Sequence, residues 1–117
     1  MSAKVQFRLR LYQDQLIAVG PGKVALLEAI GRTGSISAAA RELGMSYRRA
    51  WLLIDETNRG LKSPAVETAA GGAQGGGTQL TDTGAAVIRH YRAIEAAAYA
   101  AAAHEIGELS ALLARPG

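Results

Sequence analysis

A mainly α fold with a small β component is what this sequence predicts, and three observations predict it. Apolar residues recur at helical spacing over most of the 117 residues. Glycine, or a capping serine or threonine, punctuates those runs at short intervals. Strand-like alternation is confined to the start of the chain and to a glycine-rich stretch after Pro64.

The opening VQFRLRLY puts Val5, Phe7, Leu9 and Leu11 on one side and Gln6, Arg8, Arg10 and Tyr12 on the other, the pattern of a half-buried strand. Gln13–Gln15 turns, Leu16–Val19 reads as a short second strand, and Gly20-Pro21-Gly22 breaks the chain. From Lys23 the period changes: Val24, Leu26, Leu27 and Ile30 fall on one helical face, which stops at Gly31–Gly34. Ser35 caps a helix of about two turns bearing Ile36, Ala39, Ala40 and Leu43, ended by Gly44. Ser46 caps the next, from Tyr47 to about Leu61, with Ala50, Trp51, Ile54 and Thr57 facing inward. Ala65–Ala69 and Thr78–Leu80 flank GGAQGGG as a hairpin. Thr81 or Thr83 caps a last helix running past Ala100, with Gly107 bending or fraying it.

The chain suits one domain: an N-terminal strand region over 1–22, helices and hairpin over 23–81, and a long helix with its tail over 82–117. The absence of cysteine excludes a disulfide framework, a thiolate metal site and a cysteine nucleophile. It also fits a reducing compartment. No secretory leader or membrane-spanning run is legible, so the expectation is a soluble cytoplasmic protein without membrane partners.

Enzyme chemistry finds no constellation. His90 and His104 lie fourteen residues apart on one helix, about 21 Å at the helical rise, too far to share a metal. The GG-x-x-GGG run lacks the Lys-Ser or Lys-Thr, and the helix immediately after it, of a phosphate loop. No cofactor, metal or catalytic residue is expected.

Net charge is +3, but its distribution is uneven. Residues 1–62 hold ten bases and five acids, a balance of +5, and residues 63–117 carry −2. Base gathered in one half points to a polyanion. Two helices meeting at a glycine turn, followed by a β-hairpin, make a winged helix-turn-helix. In that arrangement the N-terminal residues of the second helix, Ser46, Tyr47, Arg48 and Arg49, approach base edges, and arginine can pair two-pronged with guanine. Ser35 and Ser37 bring hydroxyls and backbone N–H groups towards phosphate. Tyr47 either stacks on sugar–phosphate or packs beside the turn, and Trp51 reads as a core anchor. The hairpin tip has no Lys or Arg and offers Gln74, Gly75, Gly76 and backbone N–H groups to the duplex. On the last helix Val87, Tyr91, Ile94, Ala98 and Ala101 form a heptad-like stripe, read as a homodimer interface. A dimer would take a roughly palindromic operator on double-stranded DNA. A winged-helix protein–protein interaction module is the alternative, kept open by the neutral tip.

Residues Leu26 to about Ala97 resemble the N-terminal DNA-binding domain of molybdate-responsive transcriptional regulators of the ModE type. The resemblance rests on LLEAIGRTGSISAAARELGMSYRRAWLLIDETN, on the wing GGAQGGGTQLTDTG, and on the following helix. The first domain of LysR-type regulators shares part of this pattern. The resemblance implies DNA binding, dimerisation, and repression or activation of genes connected with molybdenum homeostasis. Regulators of this type join such a domain to oxyanion-binding domains of small β-barrel type. With no such residues before Gly117, direct molybdate sensing is not expected of this chain, and any effector would act by another route or through a separate partner.

Overall fold

A computed structural model describes residues 3–68 and 77–115. The elements run β1 (Leu11–Gln13), β2 (Leu16–Val19), α1 (Pro21–Thr33), α2 (Ile36–Glu42), α3 (Tyr47–Arg59), β3 (Val66–Thr68), β4 (Thr78–Leu80) and α4 (Asp82–Ser110). Both sheets are two-stranded and antiparallel, β1 with β2 and β3 with β4.

The opening segment departs from the expected strand. Only Leu11–Gln13 pairs, against a partner strand of four residues, with an irregularity between Leu11 and Tyr12. The period of two still holds over residues 5–10: Val5, Phe7 and Leu9 are half-buried while Gln6, Arg8 and Arg10 are exposed. The apolar side of this arm is met by a helix instead of a strand. The Tyr91 hydroxyl donates to the Leu9 carbonyl at 2.9 Å and the Tyr99 hydroxyl to the Val5 carbonyl at 3.0 Å. The Phe7 and Tyr99 rings lie 4.7 Å apart.

Helix α1 begins at Pro21, two residues before the expected Lys23. Proline at the first helical position forfeits an N–H that has no helical partner there, so Gly-Pro-Gly starts the helix it was expected to precede. Its buried face, Leu26, Leu27 and Ile30, is the centre of the main core, joined by Ile36, Ala39, Ala40, Ala50, Ile54 and Val66. Each leucine there contributes roughly 1.5–3 kcal/mol by leaving water. The alanines let α2 and α3 approach closely. A second cluster unites Ala18, Val19, Val24 and Tyr91, with Leu9 and Val87 packed against it.

The base of the hairpin is pinned from several sides. Asn58 near the end of α3 accepts from the Ala65 N–H at 2.8 Å and donates to the Val66 carbonyl at 3.3 Å. The Thr78 N–H donates to the Gly34 carbonyl at 3.1 Å, tying β4 to the α1–α2 turn. Thr81 caps α4 by accepting from the Gly84 N–H at 3.0 Å, and its own hydroxyl donates to Pro64. Helix α4 continues through Gly107 to Ser110, unbroken by the glycine expected to bend or fray it.

Candidate nucleic-acid interface

The site is built around the turn from α2 to α3. Ser35 accepts a hydrogen bond from the Ala38 N–H at 3.0 Å, and Ser46 accepts one from the Arg49 N–H at 3.1 Å. Both serines therefore act as N-caps through an oxygen lone pair, and each hydroxyl proton remains to donate outward. Between the helices Gly44 takes φ +68°, a conformation that costs a side chain-bearing residue strain. The Met45 N–H reaches back to the Ala40 carbonyl at 2.9 Å, which fixes the turn.

The buried residues of α3 are Ala50, Ile54 and Thr57. With about 100° per residue, Arg48 lies opposite that face, and Tyr47 and Arg49 lie on its two flanks. Tyr47 is 54 % exposed. On its side Tyr47 shares a groove of about 290 Å³ with Ser35, Ser37, Thr68, Gly77 and Thr78. That groove brings together three of the expected contact residues and the base of the wing. Arg49 lies on the other flank, away from it. Gln74, Gly75 and Gly76 lie outside the described residues.

Trp51 corrects the expectation of a core anchor: it is 50 % exposed. It stands about 100° from the centre of the buried face. It lies beside Tyr47, Arg48 and Leu52, which are themselves exposed. The signal was present in the sequence, because the spacing Ala50, Ile54, Thr57 defines an inward phase that excludes position 51.

Electrostatics favour an anion here. Of the five acids in residues 1–62, Glu28 pairs with Arg92, Glu42 with Arg32, Asp55 with Arg59 and Glu56 with Lys23. Among the described residues Arg8, Arg10, Arg48 and Arg49 have no carboxylate within ion-pair distance. Which of these charges are neutralised depends on tertiary pairing, as between Glu28 and Arg92, and is not written in the charge balance of the sequence.

The stripe on α4 divides. Tyr91 is 2 % exposed and serves the protomer's own core, and Val87 packs against both clusters. The Tyr91 side chain is thus covered before any partner arrives. Ile94, 47 % exposed, and Ala101 remain open to solvent, with Ala98 half-buried. His90 and His104 are both exposed on this helix, and no cluster among the described residues has the His, Cys, Asp or Glu groups to hold a metal ion. No described helix is long and apolar enough to cross a membrane.

A three-helix core, a capped second helix after a glycine turn, unpaired arginines at its start and a hairpin beside it define a winged helix-turn-helix DNA-binding module. Residues 22–85 match the model of the bacterial regulatory helix-turn-helix protein, lysR family, and the chain belongs to that family. It is 55 % identical over 78 residues to the molybdenum-pterin-binding protein MopB of Rhodobacter capsulatus, covering 67 % of this chain and 29 % of that one. Identity is 47 % over 88 residues to the molybdenum transport protein ModE of Azotobacter vinelandii, 75 % of this chain and 33 % of the relative. It is 41 % over 91 residues to the DNA-binding transcriptional dual regulator ModE of Escherichia coli (strain K12), 78 % of this chain and 34 % of the relative. The matches thus span about a third of the length of these curated relatives. The ModE-type resemblance read from the sequence agrees with them.

Proposed function

We propose that this chain is a sequence-specific regulator that binds a roughly palindromic operator as a homodimer and governs genes of molybdenum metabolism. The observation that carries the DNA reading is Arg48: exposed, free of a carboxylate partner among the described residues, and on the face of α3 opposite its buried side. Ser35, Ser37, Tyr47 and the wing base flank it and supply phosphate contacts that set its register. The names of the relatives supply the molybdenum connection.

Dimerisation is supported by an apolar groove of about 340 Å³ where Ile94 of α4 meets Leu11 of β1. Ile94 and Leu11 are each nearly half exposed on the free protomer. Ala98 and Ala101 continue that side of α4 as small residues suited to close helix approach. Two copies joined there would present two recognition helices to half-sites about one duplex turn apart.

Selection from a randomised duplex pool, followed by sedimentation of the protein alone and bound, tests both parts. An enriched inverted repeat occupied by two copies is the expected result. Enrichment of no sequence would overturn sequence-specific recognition, and retention of no duplex at all would overturn the DNA reading in favour of a protein–protein interaction module.

A further inference from the structure

We propose that Arg8 and Arg10 of the N-terminal arm, together with Arg49, form a second phosphate-binding rim for duplex DNA, on the side of α3 opposite the wing. The inference rests on the DNA reading above and adds a contact surface to it.

Arg8, Arg10 and Arg49 line one cleft of about 330 Å³, with Lys23 and Glu56 as its other charged groups. Glu56 is held by Lys23 at 3.3 Å, and Lys23 also donates to the Ile17 carbonyl, so that pair is internally neutral. The three arginines are exposed and have no carboxylate within ion-pair distance among the described residues. Concentrating three like charges at one cleft is unfavourable without a counter-anion, and a row of phosphates supplies one.

Placement identifies the anion. A helix seated in the major groove has a phosphate backbone on each side. On one flank of α3, Tyr47 faces Ser35, Ser37 and the wing base. Arg49 lies two residues on, about 200° around the helix, and therefore on the other flank. The arm reaches that flank in a fixed register. Tyr91 and Tyr99 hold the Leu9 and Val5 carbonyls, so odd-numbered side chains face α4 and Arg8 and Arg10 face outward beside Arg49. Contacts of this kind neutralise phosphates without reading sequence.

The test is the salt dependence of binding, measured by fluorescence anisotropy. It uses the intact chain, a labelled mixed-sequence duplex, and the duplex enriched by the wild-type protein. The Arg8→Gln/Arg10→Gln variant is expected to lose affinity for both duplexes alike. Its slope of log K against log salt should be shallower by about 1.8 per bound protomer, at about 0.9 per phosphate. The Arg8→Lys/Arg10→Lys variant keeps the charge and is expected to keep the slope. Circular dichroism melts confirm that each variant is folded. An unchanged slope for the glutamine variant, with the wild type binding normally, overturns the rim and leaves the DNA reading intact. Absence of salt-dependent binding by the wild type overturns both.

Discussion

The hydroxyl of Tyr91 on α4 donates to the Leu9 carbonyl at 2.9 Å, joining residues 82 apart in the chain. This bond closes the second core cluster and sets which residues of the arm face outward. Replacing Tyr91 by Phe keeps the ring and removes the donor, leaving a carbonyl without its partner. The expected cost is about 1 kcal/mol in urea unfolding, with faster amide exchange over residues 5–10.

Burial pushes the Tyr91 phenol above the usual tyrosine range, and the Glu95 carboxylate adds to this. A raised pKa in the folded state means stability that is complete below the unfolded value, about 10, and lost as pH rises through the folded one. Melting temperatures recorded from neutral to alkaline pH should therefore fall less steeply for Tyr91→Phe than for the wild type.

Arg92 makes a two-pronged contact with Glu28, at 2.6 and 2.9 Å, and binds Glu95 from the same helix at 2.6 Å. Its hydrogen bond holds the Glu28 carboxyl below the ordinary value, against an opposing contribution from burial. The sign is opposite to that of Tyr91: the stability is present above the unfolded carboxylate value, about 4.3, and is lost as pH falls through the lower folded value. Because Arg92 is substantially exposed, Arg92→Gln is expected to cost less than about 1 kcal/mol at neutral pH. The difference between wild type and variant should close under acid and shrink in high salt.

Two glycines of α4 predict opposite outcomes. A Cβ at Gly84 would collide with the Ala65 carbonyl oxygen, whereas one at Gly107 meets nothing within 4 Å. Gly84→Ala should destabilise by roughly 1–3 kcal/mol, because the backbone of the wing base must move. Gly107→Ala should stabilise by roughly 0.5–1 kcal/mol, since alanine suits an exposed helix interior. Denaturant midpoints of the two variants check both signs.

Trp51 is the chain's one tryptophan and is half exposed beside Tyr47 and Arg48. Its emission should be that of a solvated indole in the free protein and should change when a duplex is added. A blue-shifted emission indifferent to DNA would put this side chain back in the core.

Local signals in the sequence were the legible ones. Ser35, Ser46 and Thr81 are caps because one side-chain oxygen and the next three residues decide the matter. The helix-turn-helix followed from those caps and from Gly44. The arm shows where such reasoning stops. Alternation from Val5 to Leu9 says that one side is buried, but not that a helix 80 or more residues away covers it. The stripe on α4 has the same ambiguity, since Val87 and Tyr91 satisfy a heptad spacing while packing inside the protomer. Trp51 adjoins the inward set Ala50, Ile54 and Thr57 in helical phase, but at about 100° from the centre of that face it falls on the solvent-exposed flank, a margin that a coarse reading of the phase misses. The basic cleft was illegible because it joins residues 8 and 10 to residue 49.

The most direct test of the central claim compares Arg48→Ala with Arg49→Ala on the selected duplex and on a scrambled duplex of equal length, by anisotropy at fixed salt. Arg48 opposite the buried face of α3 predicts a loss of about 1–3 kcal/mol on the selected duplex, roughly 5- to 150-fold, and little change on the scrambled one. Arg49 predicts a similar loss on both. Equal losses for Arg48→Ala on the two duplexes would contradict base reading by this helix, and with it the sequence-specific regulator proposed here.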